Sequence, residues 1–246
     1  MSRTRFGDAR HQFAEVESTQ TIARQLARSG AAEGTVVVAE HQRAGRGRAG
    51  RAWVDRPGES LLFSLVLRPV LAPPRVPQLA LMGAVAIAEA VEQTTATAPR
   101  IKWPNDLLLD GRKFCGVLAE AASDGETVAL VILGIGINVN QREFPSGLQD
   151  RATSLAVELG HAVDRSILLD TALSRLDHWY EVYRRFGFTA VQPEWSRRCA
   201  LAGQPVVSGG VRGVVLGIDD DGALLVRGDA GETHRVVAGD VDAARH

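Results

Sequence analysis

Apolar residues change their spacing several times along this chain, and each change marks an element. Ser18-Thr19-Gln20 precedes Ile22, Ala23, Leu26 and Ala27. That rhythm predicts an N-capped helix ending near Gly30. Residues 35–40 are rich in β-branched side chains and read as a buried strand. Residues 41–52 show no period, three glycines and four arginines, and read as a loop. A strand is predicted over 60–68. Pro77 opens a long apolar helix to about Gln93, because its fixed φ suits a first turn. Strands follow at 100–103, 106–109 and 114–121, with a turn at Asp110-Gly111, and another at 127–137.

Ile167, Leu168, Leu176, Trp179, Tyr180, Tyr183 and Phe186 then recur at helical spacing up to Gly187, and a short helix holds Trp195. After Gly203 the pattern shortens. Runs at 205–208, 211–218, 223–227 and 233–237 alternate with Gly and Asp turns. This predicts an α/β (α+β) domain over 1–200 and a small β-barrel over 201–246.

Composition narrows the classes. The 246 residues are 45% hydrophobic and 23% charged, enough for a core without staples. Net charge is −1, against a dedicated nucleic-acid binder. Cys115 and Cys199 form neither a metal motif nor a disulfide framework, so a reducing compartment is expected. Arg3, Arg5, Asp8 and Arg10 have no apolar run behind them, which predicts no signal peptide. The most apolar stretch, roughly 79–91, is too short to span a bilayer. A cytoplasmic protein with no membrane contact is expected.

One bias is informative. Only two of the 28 cationic Lys+Arg side chains are lysine, Lys102 and Lys113, and asparagine occurs only at 105, 138 and 140. Lysine is a point charge and arginine a planar fork, so the retained lysines point to chemistry that needs them.

Four segments carry that chemistry. G-R-G-R-A-G-R-A-W at 45–53 combines glycines, which let backbone N–H groups approach a ligand, with bidentate donors for phosphate or carboxylate. Trp53 could stack on a nucleobase. The spacing is neither a Walker loop nor a dinucleotide fingerprint. Alone, the segment also suits a solvated basic loop or an RNA-binding stretch, which the neutral total charge argues against. K-W-P-N-D at 102–106 leaves a strand and presents Asn105 and Asp106 at its end, where Pro104 breaks pairing. Lys113-Phe114-Cys115-Gly116 places a lysine just past a turn, and the apolar neighbours favour Cys115 as a buried structural thiol over a nucleophile. G-I-G-I-N at 134–138 puts two glycines in a strand, a sign of close approach, with Asn138 at its end. Arg227-Gly228-Asp229 reads as a turn.

In this order, and with G-I-D-D-D-G-A-L-L at 217–225, these segments resemble the biotin–protein ligase family from about Ser18 onward. The resemblance implies a catalytic domain like class II aminoacyl-tRNA synthetases and an SH3-like C-terminal barrel. It implies ATP, Mg²⁺ and biotin. The biotin carboxylate attacks the α-phosphate to give biotinyl-5'-AMP and pyrophosphate. A lysine on the biotin carboxyl carrier protein of a carboxylase then takes the acyl group. By the same resemblance Ser18, Thr19, Gln20 and Gln42 face the ureido ring. Arg46, Gly47 and Arg48 close over the acyl-phosphate, and Lys113 beside Gly116 contacts carboxylate and α-phosphate. Trp53 packs on adenine, Asn105 and Asp106 lie near the phosphates and incoming lysine, Asn138 lies on the adenine side, and Arg245 reaches the nucleotide. Lys113, Arg48 and Asp106 are the catalytic candidates; no metal ligand is assigned. Two anionic reactants repel one another, so catalysis must neutralise charge at the α-phosphate and align the attack.

Two departures stand out. The family shows Ser-Thr-Asn where this chain has Gln20. There is also no room before residue 18 for a winged helix, so no DNA binding is expected. The oligomeric expectation is monomer or homodimer. A lipoate- or octanoate-handling relative shares the fold, but an alkyl chain would leave the polar Ser18/Gln42 pair unused.

Overall fold

In a computed structural model, residues 6–121 and 127–243 are described; Arg3, Arg5 and Arg245 lie outside them. The order is β1 (Arg10–Phe13), α1 (Thr19–Arg28), β2 (Val36–Ala39), β3 (Ser60–Leu67), α2 (Val76–Thr95), β4 (Arg100–Lys102), β5 (Asp106–Leu109), β6 (Arg112–Ala121), β7 (Val131–Asn138), α3 (Leu155–Leu159), α4 (Arg165–Phe186), α5 (Gln192–Arg197), then β8 (Pro205–Ser208), β9 (Val211–Ile218), β10 (Leu224–Arg227), β11 (Thr233–Val236) and β12 (Asp242–Ala243). The first seven strands form one sheet in the order β1-β2-β3-β7-β6-β5-β4. Only β1–β2 is parallel in it.

Strand alternation divides this sheet's faces. Leu61, Phe63, Leu65 and Leu67 of β3, and Val131, Leu133, Ile135 and Ile137 of β7, point into the main core with α2 and α4. Helix α2 is buried on nearly every side, since it lies between sheet and helices, and its sequence is correspondingly apolar all round. The opposite face receives α1, whose Ala23 and Ala27 pack with Val37, Val66, Leu130 and Ile132. That helix covers only part of the face. Beyond it the outward positions of β6 and β7 include Gly116, Gly134 and Gly136, and the register sets Gly116 opposite Gly136 and Leu118 opposite Gly134. Absent side chains there leave a hollow.

The second sheet, β11-β10-β9-β8-β12, is antiparallel throughout. Its 219–222 turn docks on the first part of the chain. Trp103 Nε1 donates to Gly222 O at 3.0 Å, Gln78 Nε2 to Asp221 O at 3.1 Å, and Gln192 Nε2 to Ile218 O at 3.0 Å. Gly222 has φ +87°, and a Cβ there would lie 2.5 Å from Leu81.

The structure departs from the sequence expectations in local ways. Strand β1, Arg-His-Gln-Phe, was not predicted: it is a mostly exposed edge strand whose pairing with β2 supplies what its pattern lacks. Helix α3 is too short to show a period. Strand β7 starts at Val131, since Val128 pairs with Leu71 instead. Ser18 occupies the N-cap position of α1, but its side chain does not cap; Gln42 Oε1 accepts the Thr19 N–H instead, at 2.8 Å. No helix among the described residues is long and apolar enough to cross a membrane.

Candidate active site

The glycine-floored hollow is a cleft of about 910 Å³. All four segments singled out above contribute to it, with residues 144–152 and Asp242 of the second sheet completing the wall.

At one end, Thr19 Oγ1 donates to Gln42 Oε1 at 3.0 Å and meets Ser64 Oγ at 2.8 Å. Gln42 is thereby held by both the backbone and side chain of Thr19. Ser18 lies one residue back, buried, with Oγ lacking a partner. Gln20 is buried and lies across the sheet. Its Nε2 is 3.5 Å from Leu118 O, and a Cβ on Gly134 would fall 2.6 Å from its Cδ. The longer amide is thus accommodated by the glycine beneath it.

In the middle stands Trp53, over Gly136 and Gly116. A Cβ added at those glycines would lie 2.7 Å and 3.2 Å from the indole. Its Nε1 is buried without a partner. Lys113 places its ammonium 5.5 Å from the Trp53 ring centroid and 2.6 Å from Asp106 Oδ1. The backbone of Lys113 is fixed on its other side: its N–H donates to Arg151 O at 2.8 Å, and its carbonyl accepts from Thr153 N at 2.9 Å.

The arginine-rich segment is a small hairpin rather than open coil. Gly47 N donates to Arg51 O at 2.7 Å, and Trp53 N to Gly45 O at 2.9 Å. A Cβ on Gly45 would lie 2.7 Å from Trp53 O, which is why glycine is required there. Arg48 reaches Asn105 Oδ1 at 3.5 Å and Gly239 O at 3.2 Å, and Arg51 pairs with Asp240 at 2.9 Å. Arg46 bonds Thr21 Oγ1 at 2.9 Å. Asn105 is buried, its Nδ2 donating to Val117 O at 2.8 Å. Asn138 is engaged at both ends of its amide, donating to Thr153 O at 3.0 Å and accepting from Gln141 Nε2 at 3.1 Å.

Sequence reasoning missed several participants. Ser64 sits on a strand where only alternation marks its face. Gln141 and Thr153, which brace Asn138, are isolated polar residues in a loop. Asp240 comes from the far end of the chain. None lies at a spacing that announces a site. Cys115 is fully buried on the core face of β6, and desolvation drives its thiol far above the ordinary range, so it is no nucleophile.

The arrangement can hold a polar ring against Thr19 and Gln42; Ser18 stands behind them and does not line the cleft. It can accept an anion between Arg48 and Lys113, and flank that anion with the Asp106 carboxylate. Among known proteins, residues 13–138 match the biotin/lipoate A/B protein ligase family and residues 203–243 the biotin protein ligase C-terminal domain. The bifunctional ligase/repressor BirA of Bacillus subtilis is 40% identical over 88% of this chain and 68% of its own length. The biotin–[acetyl-CoA-carboxylase] ligase of Paracoccus denitrificans is 37% identical over 89% and 94% respectively. The solved biotin protein ligase of Aquifex aeolicus, in complex with biotin and ATP, superposes with a TM-score of 0.83 at 30% identity, covering 97% of this chain and all of that one.

Proposed function

This chain belongs to the biotin/lipoate A/B protein ligase family, and we propose that its cleft converts biotin and ATP to biotinyl-5'-AMP and pyrophosphate, then passes the biotinyl group to a carboxylase carrier protein with release of AMP. It is a biotin–protein ligase, with biotin and ATP as substrates. The observation that carries the assignment of roles is the convergence of all four segments on one glycine-floored cleft, with the Lys113–Asp106 pair between a polar end and an arginine-bearing hairpin.

In this reading Thr19 and Gln42, braced by Ser64, bind the ureido group. Ser18 stands behind them at that end. Gln20 and Gly134 shape the pocket wall. Lys113 draws the carboxylate and α-phosphate together and offsets charge as the new bond forms. Arg46, Gly47 and Arg48 lie over the phosphate and shield the mixed anhydride from water. Trp53 supplies an aromatic surface for adenine, and Asn138 holds the adjoining wall through Thr153. Asn105 aims Arg48. Asp106 takes a proton from the acceptor ammonium, leaving a neutral amine to attack the acyl carbon as AMP departs. The catalytic domain ends near residue 200, and the loop between β11 and β12 brings Gly239 and Asp240 to the hairpin. The enzyme acts as a monomer or homodimer without binding DNA.

Among the described residues no three Asp, Glu, His or Cys side chains gather as a metal cage. The cleft carboxylates are Asp106, Asp150 and Asp242, all hard oxygen donors. Such a site suits Mg²⁺ held chiefly by triphosphate oxygens and water, with one or two of these carboxylates. The cation would neutralise phosphate charge.

Pyrophosphate release from Mg-ATP, with biotin, lipoate, octanoate or no acid added, tests the reading. Release with biotin alone is expected. Release with lipoate or octanoate instead would keep the fold and overturn the substrate. Gly136→Ala offers a finer check. Its methyl would displace the Trp53 indole, raising KM for ATP about tenfold, or 1.4 kcal/mol, with a smaller change in kcat. An unchanged KM would remove Trp53 from the nucleotide site.

A further inference from the structure

The hairpin that carries Gln42, Arg46, Arg48 and Trp53 has two limbs, and they are anchored unequally. The outgoing limb is fixed to the chain before α1. Val16 N donates to His41 O at 3.1 Å, Arg43 N to Val16 O at 3.0 Å, and Ala44 N to Glu17 O at 2.9 Å. These bonds use the polar groups that a regular hairpin would turn toward its own second limb. The returning limb therefore has few attachments. Trp53 N reaches Gly45 O at 2.9 Å near the tip, and Gly58 N reaches Glu40 O at 3.1 Å at the base.

Between those two points, among the described residues, the limbs are tied by side chains: His41 Nδ1–H donates to Asp55 Oδ2 at 2.8 Å. The Asp55 side chain is 1% exposed and that of His41 27%. The second carboxylate oxygen, Oδ1, is buried with no partner. A carboxylate held under the surface by one imidazole is a poor choice for stability alone. Along the chain His41 is one residue from Gln42 and Asp55 two from Trp53.

We propose that His41 and Asp55 form a clasp that positions this hairpin for adenylation, fixing where Trp53 and Arg48 stand relative to Lys113. Neither residue touches the reacting atoms; they are positioning residues, acting through the limb they close. This inference rests on the reading of the cleft as a biotin–adenylate site. Gln42 is held independently by Thr19, so the clasp bears on the phosphate end more than on biotin binding.

The test compares Asp55→Ala, His41→Ala and Asp55→Asn in the full chain. Two readouts are used: biotin-dependent pyrophosphate release, resolved into kcat and KM, and the rate of tryptic cleavage at Arg46, Arg48 and Arg51 without substrates. The alanine variants are expected to lose about tenfold or more in kcat with biotin KM within about threefold of wild type, since a small misplacement of a phosphate-facing group is costly. Cleavage of their hairpin is expected to be about tenfold faster through more frequent local opening. Asp55→Asn keeps a hydrogen bond to His41 and is expected to recover most of both. If Asp55→Ala does not fold, His41→Ala decides, since His41 is partly exposed. Folded alanine variants with wild-type kcat and cleavage would overturn the proposal. So would a parallel loss of kcat, KM and melting temperature in all three, which would make the pair a structural strut. If the wild type itself releases no pyrophosphate with biotin, the functional reading fails. The cleavage arm then still reports whether the clasp exists.

Discussion

Lys113→Ala is expected to reduce biotin-dependent pyrophosphate release by about 10³-fold, the scale of removing a charged group from a transition state. The melting temperature should barely move. The Lys113–Asp106 pair is short, at 2.6 Å, but the two side chains are 36% and 28% exposed, and a pair open to solvent contributes little to stability. Removing the ammonium has a second effect. Asp106 is left as an uncompensated carboxylate where phosphate must enter. Lys113→Arg should be nearly as harmful although charge is kept. The lysine tip lies along Gly116, where a Cβ would be 3.3 Å from Nζ and 3.4 Å from Cε, with the Trp53 ring beside it. A longer planar guanidinium does not place a compact point charge at the position that Nζ holds 2.6 Å from Asp106 Oδ1. Ordinary turnover by Lys113→Ala would end its catalytic assignment.

Gly213→Ala should lower stability by about 2 kcal/mol, or roughly 4–8 °C in melting temperature for a chain of this size. Gly213 lies on β9, and an added Cβ would be 2.1 Å from Arg227 O and 2.7 Å from its carbonyl carbon. Those are backbone atoms of the neighbouring strand β10, next to the register shift between Leu225 and Val226, so no side-chain rotation relieves the clash. The same sheet presents Gly239 O to Arg48 and Asp240 to Arg51, so a disturbed sheet should also slow the reaction at the distant cleft. Gly210→Ala is a useful comparison. It has φ +84° but nothing within 4 Å, so only backbone strain applies and a smaller loss is expected. Calorimetry of the three proteins checks both; an unshifted melting temperature for Gly213→Ala would contradict the packing argument.

The sequence by itself determined the elements with strong periods and the chemistry of the local motifs. Helices α2 and α4 and strands β3 and β7 were legible because each must bury a continuous face, and that demand writes a repeat of 3.6 or 2 into the residues. Lys113 and Asn105 stood out because lysine and asparagine are rare in this chain and cluster in short segments, and Arg48 and Asp106 because they lie in the Gly-Arg and K-W-P-N-D motifs. The glycines of 134–138 were legible as a close approach, though not what approaches them. Tertiary structure alone decided that Gly116, Gly134 and Gly136 share one open face, since that depends on the β6–β7 register. It decided that Gln42 and not Ser18 satisfies the start of α1, and that Gln20 has room because Gly134 lies beneath it. It also decided that Asp240, from the opposite end of the chain, meets Arg51. The physical reason is the same in each case. Periodicity and turn chemistry act over a few residues and leave their mark locally, whereas a cleft is built from contacts between residues dozens to nearly two hundred positions apart, whose pairing the chain fixes only once its core has packed.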